Sequence, residues 1–283
     1  MKRCLKLLEP PSLTNYRGTK PAATWDQMRD DPFDGGQQAA RDTKTTLVRR
    51  QRCLCAFCEV QIANDCSDAA IESRKAEQRV EHFHPKSDPA RPPNWNLHWP
   101  NLWAVCLGGS KQDKEEQENI LFPLPANLSC DAFKGYLVEK GLLPESPEGW
   151  VLAPDELPAL PLLFKYAPDG TPEPNPENCA AVAIPNHHYA DTTEFVAKTI
   201  VHLNLGCFRL NEARRIIRAQ LEKRIDRARK GSPGASPDEV LLVLARRLFS
   251  SNLESPWPQF FSLIRWKLGA AAERHLQDIQ FNG

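Results

Sequence analysis

The alternation of polar and apolar positions divides the chain into short strand-like runs early on and longer helical stretches later. Residues 1 to 36 are rich in Pro, Gly, Thr and Asp and carry neither period, so an extended arm with little regular structure is expected there. Residues 37 to 52 read as a helix, closed by basic residues that suit a helix C-terminus. Arg79-Val80-Glu81-His82-Phe83-His84 reads as a strand stopped by Pro85, and Leu102-Trp103-Ala104-Val105 as a second strand. Positions 107 to 129, Gly-rich and then highly charged, read as a loop. Beyond 145 the pattern gives short strands broken by Pro and Gly, with a hairpin from Leu162–Tyr166 across Asp169-Gly170. Helical periods follow: one from the capping pattern Asp191-Thr192-Thr193-Glu194 to about His202, one from Phe208 to Lys230, one from Ser236-Pro237, and a last one from Ser255-Pro256.

Within the first strand, side chains alternate between faces. His82 and His84 should therefore point one way and Glu81 and Phe83 the other. Two imidazoles beside a carboxylate suit a site needing a metal ion and a general base; surface histidines beside a charge are the plainer account. Cysteine spacing changes that balance. Nine cysteines, with no export signal, make disulfides an unexpected use and metal binding a better one. Cys55 and Cys58 form a C-x-x-C pair that can aim two thiolates at one ion from a tight turn. Cys106 after the second strand and Cys130 after the loop complete an expected four-cysteine structural zinc site. Cys4, Cys53, Cys66, Cys179 and Cys207 are left as small buried residues or free thiols.

Composition adds limits. With 283 residues, 41% hydrophobic and 25% charged, the chain can build a real core. No apolar run approaches a membrane span, and the basic start is too short for a signal peptide, so a cytoplasmic location without membrane contact is expected. Net charge is zero, so nucleic-acid binding must rest on local patches. The Phe208–Lys230 helix, with nine basic and three acidic residues, offers such a patch, or equally a solvated face with internal ion pairs.

Cys55-x-x-Cys58-Glu59, Val80-Glu81-His82-Phe83 with Pro85-Lys86-Ser87, Trp99-x-Asn101-Leu102, Cys106-x-Gly108-Gly109, Cys130-Asp131-x-x-Lys134-Gly135 and the later Leu203-Asn204-Leu205 occur in one order. Over roughly 45 to 220 this set resembles the HNH endonucleases, and more closely the PtuB-like ones of Septu and retron-associated antiphage systems. The resemblance implies an α+β fold: a zinc-stapled ββα-metal core with a mainly helical C-terminal region. Its divisions would be an N-terminal arm (1–45), a nuclease core (46–140) and a C-terminal region of short strands then helices (141–283). It implies phosphodiester hydrolysis on DNA or RNA, with catalytic Mg²⁺ or Mn²⁺ held by Glu81 and Asp131. His82 would be the general base, with His84 as its competitor; Asn101 would brace the loop and Lys134 meet phosphate. Lys86, Arg214, Arg215 and Arg218 are the expected nucleic-acid contacts. A PtuA-like ATPase, with a retron reverse transcriptase and its DNA/RNA product, is the implied partner set. A zinc module that only binds nucleic acid or protein is the alternative, and a C-x-x-C redox protein a third.

Overall fold

The apolar run Leu102-Trp103-Ala104-Val105-Cys106 forms a wholly buried strand, and the rest of the first half is arranged around it. This is a computed structural model, and it describes residues 1–6, 8–89, 93–110, 121–252 and 254–283. Strand β1 (Gln78–His82) pairs antiparallel with β2 (Leu102–Cys106), Gln78 opposite Cys106 and His82 opposite Leu102. The second edge of β1 has no strand partner among the described residues. Helix α3 (Gly36–Arg50) packs against β2, and the Gln51 amide just beyond it bonds both N–H and C=O of Ala104, satisfying backbone groups that β1 cannot reach. Helix α5 (Cys130–Glu139) covers the pair from the other side. A short α4 (Asp68–Ser73) leads into β1. Of the loop expected at 107–129, residues 111–120 lie outside the described residues.

The N-terminal stretch is not the extended arm its composition suggests. It forms α1 (Pro11–Thr19), with proline at its first position, and α2 (Trp25–Asp30), opened by a complete Thr24/Gln27 capping box. Leu13, Tyr16, Trp25 and Met28 are buried, and both helices lie against α3. The expectation of no disulfide is also corrected. Cys53 and Cys66 are bonded, with Cα atoms 6.0 Å apart, because the turn after α3 folds back to the entry of α4.

In the second half, β3 (Phe164–Tyr166) and β4 (Pro172–Pro174) form the expected hairpin, and α6 (Pro176–Ala180) follows. The longer helices are α7 (Thr192–His202), α8 (Phe208–Gly231) and α9 (Pro237–Leu248), each within a residue or two of the pattern reading. The final helix starts later than Ser255-Pro256. It begins as α10 (Phe261–Leu268), breaks at Gly269 with φ +57, and continues as α11 (Ala270–Asp278). Residues 255–260 instead run irregularly beneath the cysteine turn, where Trp257 N–H donates to Arg52 O and Phe260 N–H to Glu59 O. No helix among the described residues is long and apolar enough to cross a membrane.

Candidate metal centre and acid–histidine site

Three elements bring four sulfurs together. Cys55 and Cys58 sit on a tight turn in which Cys55 N–H donates to Val60 O and Glu59 adopts φ +64. Cys106 ends β2 and Cys130 starts α5. The Sγ separations are 3.8 Å for Cys55–Cys130, 3.6 Å for Cys58–Cys106 and 3.9 Å for Cys106–Cys130, and all four atoms lie within 4.8 Å of one another. A tetrahedral ion with metal–sulfur distances of about 2.3 Å needs edges of about 3.8 Å. The buried cluster could therefore hold a metal such as zinc. Local geometry protects it. Gly108, at φ +62, donates its N–H to Cys106 Sγ, and a Cβ there would meet Ser129 O at 2.2 Å. The Cys130 N–H is held by Leu203 O, and Asn204 Nδ2 donates to Ala126 O and Leu128 O, so the Leu203-Asn204-Leu205 segment clamps the start of α5.

One turn into α5, Asp131 and Lys134 face the side of β1 that carries Arg79 and Glu81. Arg79 Nε lies 2.6 Å from Asp131 Oδ2, and Lys134 Nζ 2.5 Å from Glu81 Oε1. Burial, and then the charge of Glu81, push the Asp131 carboxyl up to about 7, against the opposing pull of Arg79. Asp131 Oδ1 is buried with no hydrogen-bond partner among the described residues. Two carboxylates that feel each other's charge, one with an orphaned oxygen, form a donor set that fits a hard divalent cation. Lys134, expected to meet phosphate, is buried, and it also donates to Phe83 O and lies over the Phe83 ring. Arg79 escaped the sequence reading, although its two-residue offset from Glu81 on a strand was the available signal.

The two histidines have different surroundings, because β1 ends at His82 and His84 lies beyond it. His82 Nε2 is 2.9 Å from Asn96 O, and its ring meets Trp25 edge-on at 5.4 Å. A carbonyl only accepts, so Nε2 carries the proton and Nδ1 keeps the lone pair. Burial holds the His82 pKa below its ordinary value, so the ring is neutral at pH 7. His84 has both nitrogens engaged, Nδ1 with Glu148 at 2.7 Å and Nε2 with Asp88 at 2.8 Å, and it stacks on Trp95. Asn101 ties this loop together: its Oδ1 accepts from His84 N–H, and its Nδ2 donates to His84 O and Trp95 O.

A protein of Escherichia coli named "Retron Ec83 putative HNH endonuclease" is 36% identical to this chain over 218 residues, which is 76% of this chain and 78% of that relative. The chain belongs to the HNH endonuclease family. No family model matches it.

In this HNH chain the expected nucleic-acid contacts divide. Lys86 is exposed and pairs with Asp26 at 3.2 Å. Arg215 is exposed but paired with Glu212, and Arg218 is mostly covered, bonding Glu222 and Ala167 O. Arg214 is corrected. It is only 3% exposed, donates to Leu205 O at 2.7 Å, and lies 5.2 Å from the Phe260 ring. Its place between Leu210 and Leu221 on the buried stripe of α8 was legible as helical spacing, and positive charge obscured it. Asn96 was also missed: besides receiving His82, it holds Trp25 N–H through Oδ1 and Lys86 O through Nδ2.

Proposed function

We propose that this protein is a metal-dependent endonuclease that hydrolyses phosphodiester bonds on a zinc-stapled ββα-metal core. The observation that carries the reading is the buried acid–base cluster between β1 and α5, Arg79 on Asp131 at 2.6 Å and Lys134 on Glu81 at 2.5 Å, with Asp131 Oδ1 left without a hydrogen-bond partner among the described residues. Membership of the HNH family supports it. Glu81 and Asp131 would hold Mg²⁺ or Mn²⁺, which when bound offsets charge developing on the phosphate. His82 acts from its Nδ1, accepting a proton from the attacking water, while the Nε2–H bond to Asn96 fixes the ring. Its full hydrogen bonding favours His84 as a positioning residue that holds the 84–88 turn to Glu148. Asn101 orients the same loop. Arg79 and Lys134 neutralise the carboxylates, and zinc at Cys55, Cys58, Cys106 and Cys130 is structural, since four thiolates leave no open position.

The name of the Escherichia coli relative supports a retron-associated role, and from it we infer a PtuB-like effector in antiphage defence. It would work with a PtuA-like ATPase, a reverse transcriptase and its DNA/RNA product. The test is cleavage of DNA and of RNA with Mg²⁺ or Mn²⁺, with and without a candidate PtuA-like ATPase, comparing wild type with Asp131→Asn, Glu81→Gln and His82→Ala. Cleavage by the wild type alone among these is expected. Zinc-loaded wild type that cuts neither substrate in any arrangement, or Asp131→Asn that cuts at the parent's rate, would overturn it.

A further inference from the structure

A cleft of about 530 Å³ runs along the free edge of β1, walled on the other side by α2 and α3, and His82 forms part of its lining. Six of the residues lining it are lysine or arginine and two are acidic, in a chain whose charges otherwise cancel. Some of that charge is neutralised locally. Arg29 and Lys86 pair with Asp26, Lys75 with Glu72, and Arg79 with Asp131. Arg41 and Lys44, on the face of α3 toward the cleft, have no carboxylate within ion-pair distance among the described residues. Among the described residues Arg41 bonds the Gln38 side-chain oxygen, and Lys44 the carbonyls of Lys75 and Gln78. Burial also pushes Lys44 down to about 8, a penalty that an anion in the cleft would relieve.

The wall is fixed in place. Asn94 Nδ2 donates to Pro21 O and Ala23 O, and Asn96 Oδ1 accepts from Trp25 N–H, so α2 is tied to the loop that also receives His82. By contrast α8 shares no residue with this cleft, and its Arg215 and Arg218 already face acidic partners.

We propose that the cleft holds the sugar–phosphate backbone of the substrate strand, with Arg41 and Lys44 on phosphates beside the one offered to His82. This rests on the endonuclease reading and adds the N-terminal helices to the site. A continuous anionic chain is the occupant that fits, because two cations without carboxylate partners stand one helical turn apart on α3 in a groove that His82 also lines.

The test measures binding of labelled single-stranded DNA, duplex DNA and single-stranded RNA to the full chain by fluorescence anisotropy, without added divalent metal, between about 50 and 200 mM salt. Arg41→Gln/Lys44→Gln should weaken binding roughly tenfold and flatten the salt dependence by about 1.8 for duplex DNA or 1.4 for a single strand, two lost phosphate contacts. Lys44 also bonds backbone, so Arg41→Gln/Lys86→Gln, at two exposed positions, is the second variant and should shift in the same direction with an unchanged melting temperature. Lys223→Gln/Arg227→Gln on α8 should leave binding near the parent's. The three probes separate DNA from RNA as the source of the backbone. Both cleft variants binding like the parent, loss confined to the α8 variant, or no binding by the parent, would overturn the assignment. A parent that binds through the cleft yet never cuts removes the endonuclease reading and keeps the cleft. A parent that cuts while cleft variants bind normally does the reverse.

Discussion

Asn101 shows how one side chain can fix a reactive loop: it is 5% exposed and makes three hydrogen bonds to backbone groups of His84 and Trp95. Asn101→Ala would leave those groups buried and unpaired, at about 1 kcal/mol or more each. The expected loss is about 3 kcal/mol in denaturant unfolding, together with weaker cleavage; a loss under about 1 kcal/mol would remove the bracing role. His82 gives the pH prediction. Its folded pKa is depressed by burial, so between that value and its ordinary 6.5 the unfolded chain binds the proton more readily than the folded one. Its contribution to stability is thus complete above 6.5 and is lost as pH falls through the folded value. The same neutral form is the active base, so single-turnover cleavage at saturating metal should hold through pH 7 and fall only below about 6.5. His82→Ala should lower cleavage by about 10² to 10⁴-fold with its melting temperature near the parent's. An acid limb centred above pH 7 would point to a different base.

At the scale of elements, the cysteine turn, the end of β2 and the start of α5 converge at the four sulfurs. Zinc there would contribute on the order of 10 kcal/mol of folding free energy. Cys55→Ser should therefore lose stoichiometric zinc by elemental analysis and unfold well below the parent's temperature; a variant that melts like the parent without zinc would make the ion dispensable. The cluster was readable from sequence because the C-x-x-C spacing of Cys55 and Cys58 aims two thiolates at one ion, and Cys106 and Cys130 end and open regular elements. Helix α8 was readable because its period is long and unbroken. Thr24-x-x-Gln27 carried the start of α2, but Pro and Gly content outweighed it. The Arg79–Asp131 and Lys134–Glu81 pairs were hidden for another reason: they depend on how α5 lies over β1, and no local pattern encodes that register.

Across the whole molecule, the C-terminal helices act on the cysteine turn as much as on one another. Leu54 belongs to the same apolar cluster as Trp257, Phe261 and residues of α8, α9 and α11. Lys6 reaches the turn that carries Asn101, donating to Trp99 O and Leu102 O across the Trp103 ring, so the N-terminal segment braces the opposite side. Helices α8 to α11 pack against one another at the C-terminal end of the chain. Their inward faces are occupied, which leaves only outward positions such as Val243 for a partner. The link to the turn is polar as well: Glu59, next to Cys58, accepts from Ser262 Oγ at 2.6 Å and from Ser262 N–H at 2.9 Å, all of it buried. Ser262→Ala removes the hydroxyl bond to Glu59 Oε1 and leaves that oxygen only the Met1 ammonium at 3.5 Å, a cost of about 2 kcal/mol for a hydrogen bond to a buried charge. In a chain of this size that lowers the melting midpoint by roughly 4 to 8 °C. Because Glu59 is part of the cysteine turn, the loss should appear as one shifted transition, with zinc released at the new midpoint. If zinc release stays at the parent's temperature while the C-terminal helices melt earlier, the two halves are separable, and the C-terminal region is an appendage that does not support the site.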